Sequence, residues 1–74
     1  MARHFSGAQL RTARIDAGLT PEHLALRVGR SVWSIYAYER GLGQPPLEVA
    51  ARIAAAVGCS VDDLLAEGVA HAAV

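Results

Sequence analysis

The stretch LALRVGRSVWSIYAYERG, residues 24–41, decides the fold of this chain. Within it, Gly29 stands where a helix would end, and Ser31, two positions later, is among the residues that best begin a new one. The pattern therefore predicts two short helices that meet across three residues. Ala25 and Gly29 are small where two such helices would cross, and Ile35 is expected to pack between them.

The residues on either side carry start and stop signals for further helices. Ser6 is placed to cap a first helix, Thr20 and Pro21 begin the second, and Ser60 precedes a last one. No segment alternates between apolar and polar residues with period two. We therefore predict an all-α fold, a compact five-helix bundle, with helices at residues 7–17, 21–28, 32–40 and 47–57 and a short fifth helix through residues 64 and 65.

Length and composition limit what such a chain can be. Its 74 residues suffice for one domain, which we place at residues 7–67, between an N-terminal arm (1–6) and a flexible tail (68–74). The single cysteine, Cys59, cannot form an internal disulfide, and the histidines lack the spacing of metal ligands. No apolar run is long enough to span a bilayer. We expect a cytoplasmic protein that needs no cofactor and no metal.

The sequence offers no catalytic arrangement. There is no glycine-rich phosphate loop and no set of serine, histidine and aspartate that resembles a hydrolytic site, and the chain is too short to enclose a deep pocket. Asp62 and Asp63 are adjacent, so on a helix their side chains point in different directions. We therefore predict that the chain is not an enzyme.

The formal charge is zero, but it is divided unevenly along the chain. Up to Arg30 there are five arginines against two acidic residues, and after it two arginines against five acidic residues. A fold that gathers the first part on one side presents a basic face to a polyanion. A balanced total therefore leaves nucleic acid open as a partner.

The order of motifs along the chain resembles a known family. LRTARIDAGLT at residues 10–20, LALRVG at 24–29, YERG at 38–41 and PPLEVAARIAAAVGCSVDDLL at 45–65 are similar to the phage-repressor and Cro-like helix-turn-helix proteins, often called XRE-type. The resemblance implies a lambda-repressor-like DNA-binding domain with its third helix in the DNA major groove. It also implies double-stranded DNA as the partner and a homodimer on a palindromic operator.

The resemblance further implies an ion pair between Arg14 and Glu39. The residues themselves agree, since Glu39 lies on the third helix beside Tyr38, which is expected in the core, and Arg14 faces the same core. We predict a partly shielded salt bridge that clamps the first helix to the third and has a structural role.

The third helix is expected to present two different faces. Ile35 and Tyr38 share one face by helical spacing, whereas Trp33 and Tyr36 share the other. In the related proteins that second face carries polar side chains that bond to base edges, whereas here it is largely apolar, so contact with thymine methyl groups is expected instead. The predicted DNA-binding residues are Arg27, Arg30, Ser31, Val32, Trp33, Tyr36, Ala37 and Arg40.

Dimerisation is expected to use the last part of the domain, through Val57, Val61, Leu64 and Leu65. The function predicted from the sequence is a sequence-specific transcriptional regulator, a small Cro-like, phage or plasmid repressor of the bacterial cytosol. Two alternatives remain open. The same scaffold can present Trp33 and Tyr36 to another protein, since such residues dominate protein interfaces, or the chain can be an antitoxin-type autoregulator.

Overall fold

The computed structural model describes residues 3–67. Four α-helices form most of it, and a short strand stands at each end. The elements in chain order are β1 (Arg3–Phe5), α1 (Gly7–Asp16), α2 (Pro21–Val28), α3 (Val32–Arg40), α4 (Leu47–Val57), a 3-10 turn (Asp62–Leu64) and β2 (Leu65–Glu67).

Local capping explains where the first three helices begin. The side-chain oxygens of Ser6, Thr20 and Ser31 each accept a hydrogen bond from the backbone amide three residues further on. These bonds satisfy amides that have no partner inside the helix. At the end of α2, Gly29 adopts φ 71°, a left-handed conformation that glycine reaches without strain.

The predicted fifth helix is wrong. Ser60 and Asp63 do cap one another, because the Ser60 amide donates to Asp63 Oδ2 at 3.1 Å and the Asp63 amide donates to Ser60 Oγ at 3.3 Å. The helical turn nevertheless ends at Leu64, because Leu65–Glu67 pairs with Arg3–Phe5 as an antiparallel two-stranded sheet. Over residues 3–67 the fold is therefore four helices with a small sheet rather than an all-α five-helix bundle.

The predicted N-terminal arm is part of this sheet over the residues that the structure describes. Arg3 lies opposite Glu67 and Phe5 opposite Leu65. Arg3 also donates to the backbone oxygen of Asp62 at 3.1 Å. Met1, Ala2 and the predicted tail at 68–74 lie outside the described residues.

The core lies where all four helices meet the 3-10 turn. Its fully buried side chains come from every part of the chain: Leu10, Leu24, Val28, Ile35, Ile53 and Leu64. The sheet closes one side of this core, because the ring of Phe5 meets the ring of Tyr38 edge-on, with centroids 6.4 Å apart. The sheet therefore packs against the buried face of α3. Within residues 3–67, no helix is long and apolar enough to cross a membrane.

Cys59 is partly buried against the core, and its thiol is expected to react slowly. Burial raises the pKa of the Cys59 thiol, and the nearby Asp63 carboxylate raises it further. Because the thiolate is the reactive form, a raised pKa lowers reactivity at neutral pH. We expect alkylation by iodoacetamide to be several-fold slower in the folded protein than in the same protein in denaturant, as measured by mass spectrometry. Equal rates in the two conditions would contradict this placement.

Candidate nucleic-acid interface

The turn between α2 and α3 is held by backbone and side-chain hydrogen bonds. The Arg30 amide donates to the Ala25 carbonyl at 3.1 Å and so closes the end of α2. Ser31 Oγ accepts from the Ser34 amide at 3.2 Å and lies 3.1 Å from Ser34 Oγ. These bonds fix the direction in which α3 leaves the turn.

Arg52 of α4 adds a second support at the same turn. Its Nη1 donates to the Val28 carbonyl, at the end of α2, at 3.0 Å. Lys and Arg side chains stabilise helix C-termini in this way. Spacing along the sequence does not reveal this bond, because it depends on how α2 packs against α4.

The two faces of α3 differ as predicted from their spacing. Ile35 and Tyr38 are buried at 0% and 5% exposure, whereas Trp33 is 76% exposed. The Trp33 and Tyr36 rings lie side by side outside the core, with centroids 6.1 Å apart and planes at 59°. The aromatic residues therefore serve two purposes: Tyr38 packs in the core, and Trp33 and Tyr36 form a surface.

This surface encloses a small open cavity, which we name the α3 pocket. Its volume is about 200 Å³, and its walls are Trp33, Tyr36, Ala37, Arg40 and Leu42. Leu42, 76% exposed in the loop after α3, was not among the predicted site residues. In the sequence, Leu42 stands out only because it is a large apolar residue directly after Gly41, which ends α3.

The other predicted DNA-binding residues are distributed unevenly around α3. Arg30 is exposed in the turn, beside Ser31 at the start of α3. Val32 is partly buried and packs against the core, so only part of its side chain is accessible. Arg27 lies elsewhere, in a groove that it lines with Arg52 and two alanines of α4. The structure therefore does not bring Arg27 to the α3 pocket.

Arg14 and Glu39 join α1 to the last turn of α3. Arg14 Nε donates to Glu39 Oε2 at 2.6 Å, and Arg14 Nη2 donates to Oε1 at 3.2 Å. Arg14 Nη1 donates to the Leu19 carbonyl at 2.9 Å. The Glu39 carboxylate raises the pKa of Arg14, and its effect outweighs that of burial, which acts in the opposite direction. The side chains are only 10% and 7% exposed, so the pair lies inside the domain and away from the exposed face of α3.

One of the residues predicted at a dimer interface has no surface available. Leu64, the last residue of the 3-10 turn, is fully buried in the core of the single chain. Val57, Val61 and Leu65 are partly exposed.

In the part of the chain that the structure describes, no three His, Cys, Asp or Glu side chains come together in a group that could hold a metal.

A capped turn between two short helices, with the second helix exposing its outer face, is the arrangement of a helix-turn-helix protein. Comparison with protein families agrees, because residues 7–67 match the family described as "Helix-turn-helix domain". This chain belongs to that family, and its predicted resemblance to the phage-repressor and XRE-type members is confirmed. A search among curated proteins found no match.

Solved structures of regulators share the fold. The clp gene regulator ClgR from Corynebacterium glutamicum is 36% identical, with a TM-score of 0.75, over 78% of this chain and 62% of that chain. The P22 c2 repressor in complex with a synthetic operator is 29% identical, with a TM-score of 0.75, over 78% of this chain and 88% of that chain. The restriction-modification controller protein C.AhdI from Aeromonas hydrophila is also 29% identical, with a TM-score of 0.74, over the same shares of the two chains.

These neighbours are a regulator, a repressor and a controller protein. Together with the family match, they confirm the prediction that this chain is not an enzyme. The chain spans about 62% of the length of the ClgR chain.

Proposed function

We propose that this protein is a sequence-specific DNA-binding transcriptional regulator that places α3 in the major groove. The observation that carries the proposal is the outer face of α3, where Trp33, Tyr36, Ala37 and Arg40 gather around one pocket while the turn before them is held by hydrogen bonds. An α-helix fits the major groove of B-DNA, where base edges can be read. The likeness to the P22 c2 repressor, solved with an operator, supports the same use of the fold.

Phosphate contacts in this proposal come from the ends of α3. Arg30 is exposed in the turn and Arg40 is exposed at the last position of α3. The free amides at the start of α3, next to Ser31, favour an anion. These groups position the helix, whereas base contacts provide the specificity.

With so few cationic side chains, a single copy would bind weakly, so we propose a homodimer on a palindromic operator. Two copies of α3 must then emerge roughly 34 Å apart, one helical turn of DNA. Val57, Val61 and Leu65 are the predicted dimer residues that retain exposed surface. Such a protein would act as a small repressor in the bacterial cytosol by occupying a promoter.

Selection of binding sites from a randomised duplex DNA pool tests this proposal. We expect an enriched palindrome with half-sites about one helical turn apart. Trp33→Ala and Tyr36→Ala should each weaken binding to it at least about thirtyfold, because truncation of an interface hot spot costs about 2 kcal/mol or more. Leu26→Ala is the matched control, because Leu26 on α2 is 81% exposed, similar to Trp33, and lies outside the α3 pocket. Binding by the control should equal that of the wild type.

A second candidate function, a protein-interaction module, is favoured by the exposure of Trp33 and Leu42, each at 76%, on the same pocket. The same selection distinguishes the two functions. If no sequence is enriched and binding is equally weak to scrambled DNA and lost with salt, only non-specific phosphate contact remains. That result would refute the regulator proposal and favour a protein partner.

A further inference from the structure

The α3 pocket has an unusual balance of hydrogen-bonding groups for a surface that reads bases. Trp33 offers only an N–H donor and Arg40 only donors, while Ala37 and Leu42 offer neither donor nor acceptor. The Tyr36 hydroxyl is the one side-chain group in the walls that can accept. The hydroxyls of Ser31 and Ser34, which are bonded to one another, do not line the pocket. The pocket therefore combines apolar walls with hydrogen-bond donors.

The edges of the four bases in the major groove suit such a pocket very differently. Thymine presents an acceptor, O4, next to an apolar C5-methyl group, which matches donors beside apolar walls. Cytosine presents an N4 amino donor and no methyl group, so a donor on the base would face the donors of Trp33 and Arg40. Guanine presents two acceptors that Arg40 could bind, and adenine presents one acceptor beside an amino donor, but neither purine has a methyl group to fill the apolar part of the pocket. Of the four, thymine alone uses both properties of the pocket.

We propose that the α3 pocket binds the 5-methyl group of a pyrimidine in the major groove. The inference rests on the proposed function, since α3 must first lie in that groove. Trp33, Tyr36 and Leu42 enclose the methyl group, while the Trp33 indole N–H and the Arg40 guanidinium donate to acceptors on the base edge. In ordinary DNA the occupant is thymine.

The same chemistry extends to a modified base. 5-Methylcytosine carries the methyl group at the same ring position as thymine but keeps the cytosine amino donor. At the position that the pocket reads, affinity should therefore follow the order thymine, 5-methylcytosine, cytosine. Methylation of a cytosine at that position would strengthen binding, which makes the regulator responsive to DNA methylation at such sites.

Substitution of deoxyuridine for thymine tests the proposal, because it removes the methyl group and leaves O4 in place. In the selected operator, each thymine pair is replaced in turn, symmetrically in both half-sites. We expect one position at which Kd rises about fourfold for each methyl removed, the effect of exposing one buried methyl group. At that position, 5-methylcytosine should bind about fourfold more tightly than cytosine for each methyl restored.

Protein variants assign the effect to the pocket. With Trp33→Ala, the deoxyuridine and thymine operators should bind equally well, whereas Leu26→Ala should retain the full wild-type difference. Leu42→Ala, in the loop rather than in α3, repeats the comparison if Trp33→Ala folds poorly, and it should reduce the difference.

The results separate the two proposals. If an operator is selected but deoxyuridine at every thymine leaves Kd unchanged, methyl recognition is overturned while the regulator proposal stands. A methyl effect that persists in both Trp33→Ala and Leu42→Ala places recognition outside the pocket and also overturns it. If no operator is selected at all, the proposed function fails, and methyl recognition fails with it.

Discussion

Replacement of Arg14 by methionine is expected to destabilise the folded domain by about 3–5 kcal/mol, the cost of removing one partner from a buried ion pair. The Glu39 carboxylate, only 7% exposed, would lose both of its bonds to the guanidinium. The Leu19 carbonyl would lose its donor as well. A domain of this length has a total stability of roughly 4–11 kcal/mol, so the loss is a large part of it. Urea unfolding followed by circular dichroism measures the change.

Two further variants show whether the loss comes from the ion pair. Arg11→Met removes an exposed arginine from the same helix and should change stability by no more than about 0.5 kcal/mol. The double variant Arg14→Met/Glu39→Met leaves no buried charge, so it should recover much of the stability lost in the single variant. If Arg14→Met is as stable as Arg11→Met, the proposed clamp between α1 and α3 does not exist.

The ends of the helices could be predicted from the sequence because their signals act over about one turn. Thr20 and Pro21 begin α2 and Gly29 ends it, and each interacts only with residues close in the chain. The bounds of α2, α3 and α4 agree with the predictions, and α1 ends at Asp16, one residue earlier than predicted.

The fifth helix was predicted wrongly because its competitor lies far away in the chain. The capping bonds of Ser60 with Asp63 form as the local pattern indicates. The following residues find other partners: β1 pairs with them, and the Gln9 side chain donates to the carbonyls of Asp63 and Leu65 at 2.7 and 3.0 Å. A start signal shows where a helix can begin. Here, however, residues 65–67 become a strand because they pair with a segment some sixty residues away in the chain.

The residues of the candidate site also fall into two groups, those placed by local spacing and those placed by packing between distant segments. Helical spacing alone predicts that Trp33 and Tyr36 share an outer face, because both lie on one regular element. Spacing cannot place Leu42 beside them, since that depends on how the chain turns after Gly41. Nor can it separate Arg27 from the α3 pocket, because the groove that Arg27 lines exists only where α2 packs against α4.

Replacement of Gly7 by alanine is expected to destabilise the domain nearly as much as Arg14→Met does, for a steric reason. Gly7 is the first residue of α1, and a Cβ atom there would overlap the backbone carbonyl oxygens of Tyr38 and Glu39 at the end of α3. A backbone oxygen cannot move aside as the tip of a flexible side chain can, so α1 and α3 must separate. We expect a loss at or above the upper end of the roughly 1–3 kcal/mol that overpacking usually costs, measured by the same unfolding experiment.

Gly43→Ala is the matched control for this effect, because no atom lies within 4 Å of a Cβ added at Gly43. There the substitution mainly restricts the unfolded chain, so stability should stay the same or rise by up to about 1 kcal/mol. Separation of α1 from α3 would also move Glu39 away from Arg14, so Gly7→Ala and Arg14→Met should cost less together than the sum of their separate costs. Equal stability of Gly7→Ala and Gly43→Ala would show that α1 does not begin against the last turn of α3, and additive costs would show that the close contact and the ion pair act independently.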